Sequence, residues 1–345
     1  MDHAGRAVIL GLTVLLACAL AAAGCSSNPV GKPPPTIEPG GPAASPPVTV
    51  APAGVVRPLP GGAQATTFDA DTSSLVVFSP GPDRQSPAIV TLFPAMGGPP
   101  RNVALPGPAT ALTCDDRGAA YLTTHGGYYR VDLAAGRVDR VGVDGQDATD
   151  FTAVARRADG RLVLGSADGA VYTLDSASHV AAQVKIFAHV DELATEGNTA
   201  VVLDRGQTSV TTLDASGAHP QHALRAGEGA TTLAADPAGR VLVADTRGDE
   251  LLVFGVDPLI LRQQYPVREA PYGLAGSRTL AWVSETAANM VVGYDLATGI
   301  PVEKVRYPTV RQPNSLAFDE ARGTLYVVSG TGDGVQAIDH AAGSA

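Results

Sequence analysis

The chain has 345 residues, with 34 acidic side chains against 24 Lys plus Arg, 39 glycines, 27 prolines and only 5% aromatic positions. A formal net charge of -10 excludes a nucleic-acid partner, which would need clustered cations to neutralise phosphates. Three cysteines cannot build a disulfide scaffold.

Residues 1–24 read as a lipoprotein signal peptide. Positions 7–24 are uncharged and mostly apolar, the length of a secretory h-region rather than of a comfortable membrane span. The run ends in Leu20-Ala21-Ala22-Ala23-Gly24-Cys25, and small residues before a cysteine resemble a bacterial lipobox. That resemblance implies a diacylglyceryl group on Cys25, with palmitate-type acyl chains, and a mature protein tied to the extracytoplasmic face of the cell membrane. Two or more acyl chains anchor stably where one does not. The alternative is a plain signal peptide or retained anchor, with Cys25 incidental. Cys18 leaves with the signal, so Cys114 remains as the free thiol of the mature domain.

Residues 25–54 read as the lipidated cysteine and a disordered, proline-rich linker. Nine prolines lie between Pro29 and Pro52, aromatic residues are absent and no apolar period is present. Such a segment has too little apolar surface to fold and favours extended polyproline backbone. At ~3 Å per residue it would span about 90 Å.

Residues 55–345 repeat. Apolar pairs ahead of polar turns recur at Thr66, Leu112, Val154, Leu193, Leu233, Leu274 and Leu316, at intervals of 39 to 46 residues. A second register ends the third β run of six repeats in Asp132, Asp175, Asp214, Asp257, Asp295 and Asp339. Glycine follows within four residues at Gly136, Gly217, Gly299 and Gly343. This is turn chemistry: the carboxylate accepts backbone N–H groups and glycine supplies positive φ. Four short runs rich in Val, Leu, Ile, Thr and Tyr per repeat predict an all-β, seven-bladed β-propeller with four-stranded blades. The last repeat runs out after three strands, and Val55-Val56-Arg57-Pro58 supplies the fourth, an N-terminal strand closing the last blade. Six blades plus an irregular first segment is the competing layout. Arg156 and Arg157 stand where the third repeat should carry its anchor aspartate, without a reason visible in the sequence.

The stretch Leu280-Ala281-Trp282-Val283-Ser284-Glu285, running on to Asn289-Met290-Val291-Val292-Gly293-Tyr294-Asp295, resembles the YVTN repeat. Gln312-Pro313-Asn314-Ser315-Leu316-Ala317-Phe318-Asp319 resembles an NHL strand start. Signal, tether and propeller together resemble the conserved actinobacterial lipoproteins of the mycobacterial LppL type. The resemblance implies a membrane-anchored propeller of unassigned activity. WD40 blades are excluded, because Trp282 is the single tryptophan.

In a propeller, the turns leading into inner strands share one face with the turns between second and third strands. The candidate binding face there comprises Asp150, Asp204, Asp245, Arg247, Tyr272, Glu285 and Asn314, with Asp191, Glu192, Arg205 and His125 on the same turns. Replacing Asp245 or Tyr272 is expected to weaken a partner without unfolding the domain. No HExxH, P-loop, GxSxG or CxxC is present, so no catalytic residue, metal ligand or cofactor is assigned. The expected function is a binding or scaffold module in the cell envelope, its partner an envelope protein or a glycan. The alternative is a metal-assisted hydrolase of the lactonase-like propeller kind, with Asp150, Glu228 and Asn314 imitating a cation site. Cys114, on an inner strand, is expected to be a buried, inert thiol.

Overall fold

The computed structural model describes residues 35–343; the signal segment, Cys25 and the linker up to residue 34 lie outside the described residues. Seven four-stranded antiparallel sheets form the ring of a β-propeller, and among the described residues there is no helix. The inner strands are, in order, Ala65–Asp69, Leu112–Cys114, Phe151–Arg156, Glu192–Glu196, Ala230–Asp236, Pro271–Gly276 and Pro313–Asp319. In blades 1 to 6 each is followed by three strands that run outward in sequence order, and in blade 7 by two. Blade 7 is completed by Val55–Arg57, which pairs with Val335–Ile338 in the register Val55↔Ala337, Val56↔Gln336, Arg57↔Val335. Closing the ring this way leaves only short outer edges unpaired. Pro58 lies just outside that strand, where its missing donor breaks no ladder.

Strand composition follows position. Second and third strands are buried on both faces, as in Ser74–Ser79 and Ala170–Leu174, and are mostly apolar, with Ser or Thr as the polar members of these two. Outer strands such as Leu259–Pro266 expose most of their side chains and carry the polar residues. The core is a set of layers between neighbouring blades rather than one central mass. Val76, Phe78, Leu122 and Tyr129 fill the layer between blades 1 and 2. Trp282, fully buried, fills the layer between blades 6 and 7 and stacks on Phe318 at 5.9 Å. Gly293 is required beside it, since a Cβ there would stand 2.8 Å from the indole. Arg57 joins blade 7 to blade 1: its guanidinium lies 4.8 Å from the Phe93 ring and bonds the Pro94 and Gly98 carbonyls.

The repeated aspartates do what turn chemistry requires. Asp69, Asp236 and Asp319 are buried at the ends of inner strands and accept from Thr72, Ala238 and Ala321 N–H. At the corresponding turn of blade 3, Arg157 replaces the acceptor with a donor. Its buried guanidinium bonds Asp159 at 2.9 Å and reaches the Ala215 carbonyl of blade 4 at 2.6 Å. That accounts for the break in the aspartate register.

Residues 35–54 have no strand or helix of their own, in keeping with their composition, but from Thr36 onward they do not hang free. Ile37 N–H donates to the Gly206 carbonyl of blade 4, and Arg247 of blade 5 donates to the Glu38 carbonyl. Gly40 approaches Thr231 and Gly229 so closely that a Cβ would lie 3.0 Å from the threonine methyl. Ala43 and Ser45 bond Thr286 of blade 6 and Gln312 of blade 7. Ala53 then bonds Pro308 and the buried Gln336, which leads the chain into its closing strand. The segment is a strap along the rim of blades 4 to 7.

Candidate functional site

The inner strands of all seven blades enclose a central channel of about 660 Å³. Most of its wall is alanine, threonine, leucine and valine. The exception is a polar patch where blades 4, 5 and 6 meet, built from His189, Asp191, Glu192, Arg205 and Tyr272, with Asn314 of blade 7 beyond it.

Local structure places these side chains. His189 and Asp191 sit in the turn into the blade 4 inner strand, and Glu192 opens that strand. Arg205 follows Asp204, the last residue of Thr199–Asp204, so the pairing of those two strands sets the Glu192–Arg205 distance. Arg205 Nη2 donates to Glu192 Oε1 at 2.9 Å, and its backbone N–H donates to Asp191 Oδ2 at 2.8 Å. Glu192 Oε2 accepts from Leu233 N–H of blade 5 at 2.6 Å. His189 Nδ1 lies 3.2 Å from Asp191 Oδ1, in ion-pair range but off hydrogen-bond alignment.

The electrostatics are coupled. Burial raises the Glu192 carboxyl above its ordinary value, against the opposing pull of Arg205 and the Leu233 amide. Burial works against the charge on Arg205, but Glu192, Tyr272 and Asp191 together hold the guanidinium above its ordinary range. Burial also raises the Tyr272 phenol, with Arg205 opposing. The Asp191 carboxylate raises the His189 imidazole against the cost of burial. Burial opposes the charge on Asp191, yet His189 and the Arg205 amide hold its carboxyl below the usual range. Arg205 Nε and His189 Nδ1 are buried without a hydrogen-bond partner in the protein.

The seven residues expected on the binding face part into three groups. Tyr272 and Asn314 line the channel. Asp150 is exposed and pairs with His125 at 2.6 Å on the surface, and Arg247 holds the strap. Asp204, Asp245 and Glu285 all end second strands and are buried. Asp204 accepts from Ala188 and Gln207 N–H, both at 2.8 Å. Asp245 accepts from Glu228 at 2.7 Å, Gly229 at 2.8 Å and Gly248 at 3.0 Å. Glu285 is paired with Arg306. Asp204 and Asp245 tie the rim turns together and Glu285 ties a second strand to the outer strand of its blade, so replacing Asp245 is expected to cost the fold some stability. His189 carries no signal in the sequence beyond standing two residues before Asp191.

Among the described residues no three His, Cys, Asp or Glu side chains are grouped to hold a metal ion. Of Asp150, Glu228 and Asn314, expected to imitate a cation site, only Asn314 lines the channel. Burial, with Asp69, Asp116 and Asp115 nearby, pushes the Cys114 thiol well above its ordinary value. Cys114 is half-buried rather than buried as expected, and the raised pKa favours its neutral thiol form.

No protein-family model matches this chain, and no curated protein matches it. Solved structures do match in shape. A streptogramin B lyase aligns with a TM-score of 0.66 at 9% identity, over 83% of this chain and 96% of that one. The virginiamycin B lyase of Staphylococcus aureus, solved with selenomethionine, aligns at 0.65 and 11% identity, over 80% and 94%. A chain of the mitotic checkpoint complex aligns at 0.70 and 13% identity, over 86% and 96%. At such identities the likeness is one of fold, and it spans lyases and an assembly component alike.

Proposed function

We propose that the chain is an extracytoplasmic lipoprotein, anchored through Cys25, whose propeller binds an envelope partner at the polar patch of its channel. This keeps the YVTN/NHL and LppL resemblance as a statement of kind. The observation that carries the binding role is the grouping of His189, Asp191, Glu192, Arg205 and Tyr272 on one side of a channel whose wall is otherwise mostly apolar or hydroxylated. Pockets of this form bind through a few placed polar groups against an apolar wall. Arg205 with Glu192 presents a donor and an acceptor side by side, and the Tyr272 ring adds an amphipathic face. That combination suits a neutral, hydroxyl- or amide-bearing ligand, as offered by a glycan or a polypeptide loop.

The anchor follows from the lipobox-like run at residues 20–25. The strap is docked from Ile37 onward and belongs to the domain rather than to the tether. One experiment separates the two halves of the reading. Fractionation of cells making Cys25→Ser protein is expected to move the domain from membrane to medium while leaving partner binding by the released domain intact. Tyr272→Ala is expected to lose the partner while staying at the membrane. Membrane retention of Cys25→Ser would refute the anchor, and undiminished binding by Tyr272→Ala would refute the site.

A further inference from the structure

The strap makes nearly all of its contacts through its backbone. Gln312, itself buried, brackets it: Oε1 accepts from Ser45 N–H at 3.0 Å, and Nε2 donates to the Ala43 carbonyl at 2.8 Å. A side-chain amide here offers the donor and acceptor that a neighbouring strand would offer to an extended peptide. Asn289 Nδ2 donates to the Pro46 carbonyl at 2.9 Å, Arg311 Nε to the Ser45 carbonyl at 3.2 Å, and Arg247 Nη2 to the Glu38 carbonyl at 2.8 Å. The turn holds Gln312 at φ 55°, a conformation that non-glycine residues seldom adopt and that clusters at ligand clamps.

One strap side chain is read. Ser45 is 4% exposed; its Oγ donates to the Thr286 carbonyl at 2.5 Å and accepts from Gln312 N–H at 3.1 Å. The other residues from 35 to 50 are exposed or half-buried. The prolines around Ser45 have no N–H to satisfy and arrive already extended, which lowers the ordering cost. The footprint therefore selects an extended, proline-flanked chain with one small hydroxyl residue. Nothing in these contacts depends on the chain's covalent continuity with blade 7.

We propose that the rim of blades 4 to 7 is a docking groove for an extended, proline-flanked serine segment of a second polypeptide, with residues 36–47 as its resident in cis. A tethered resident competes at an effective concentration in the millimolar range, so the groove accepts a second chain only when the strap is displaced. The groove lies outside the channel patch, and the proposal does not depend on what the channel binds.

The test uses the full chain and a fluorescent peptide with the sequence of residues 35–50. Ser45→Pro in the protein removes both the N–H and the hydroxyl and frees the groove. The peptide is expected to bind Ser45→Pro protein at least about tenfold more tightly than the native chain. Adding Arg311→Ala is expected to weaken it severalfold, adding Gln312→Ala to abolish it, and Tyr272→Ala to leave it unchanged. Trp282 fluorescence verifies the fold of each variant, and the exposed Arg311 keeps the test alive should Gln312→Ala not fold. Equal affinity of native and Ser45→Pro protein, or binding indifferent to both groove substitutions, would overturn the proposal.

Discussion

At the scale of single residues, burial and partners decide which of two similar aspartates belongs to a site and which to the frame. Asp245 and Asp191 both stand in rim turns. Asp245 is fully buried, with its carboxylate spent on three amides. Asp245→Ala leaves those N–H groups without their acceptor, and a loss of about 2–3 kcal/mol in chemical unfolding is expected. Tyr272→Ala should change stability much less. His189 and Asp191 behave as a titrating pair. The imidazole is held above its ordinary 6.5 and the carboxyl below its ordinary 3.8. The His189 contribution to stability is therefore fully present below pH 6.5 and fades as pH rises through its folded midpoint. The Asp191 contribution is present above pH 3.8 and is lost as pH falls through its own. NMR titration should show His189 with a midpoint above 6.5 that Asp191→Asn returns towards 6.5; an unmoved midpoint would remove the pair from the account.

At the scale of elements, the closing strand and the strap show what a sequence can carry. Strand runs and their turns were legible because the pattern repeats, so each third-run aspartate was read against five others and each following glycine against three. The Val55–Arg57 strand was found by counting: three strands at one end and a spare at the other. The strap was not legible. Its polyproline backbone was expected from composition, but docking through Gln312, Asn289 and Arg311 depends on partners more than 240 residues away and leaves no apolar period. The closure itself is testable. Arg57 bonds two blade 1 carbonyls and lies over Phe93, so Arg57→Ala should cost about 1 kcal/mol of stability. Unfolding followed by Trp282 fluorescence reads this directly, because that side chain is sealed between blades 6 and 7, next to the seam. A midpoint identical to the native one would show that the seam does not use Arg57.

At the scale of the whole molecule, the fold brings together side chains that the sequence scatters. Glu192, Arg205 and Tyr272 come from two blades and meet only because ring closure points the inner strands at one channel. Sequence placed all three on rim turns but kept Asp204 and Glu285 in the candidate face and left Glu192 and Arg205 out of it, because burial of Asp204 and Glu285 emerges only from packing. The fold is shared with lyases and with a chain of a checkpoint complex, so the ring by itself names no activity, and the proposed site is the polar patch. A photo-crosslinking residue placed at Tyr272 in intact cells tests this most directly, with the exposed Ile300 on the outer side of blade 6 as its control. A discrete adduct from position 272, absent from position 300 and lost on Arg205→Ala, is the predicted result. No adduct from the channel, or the same adduct from both positions, would contradict the account.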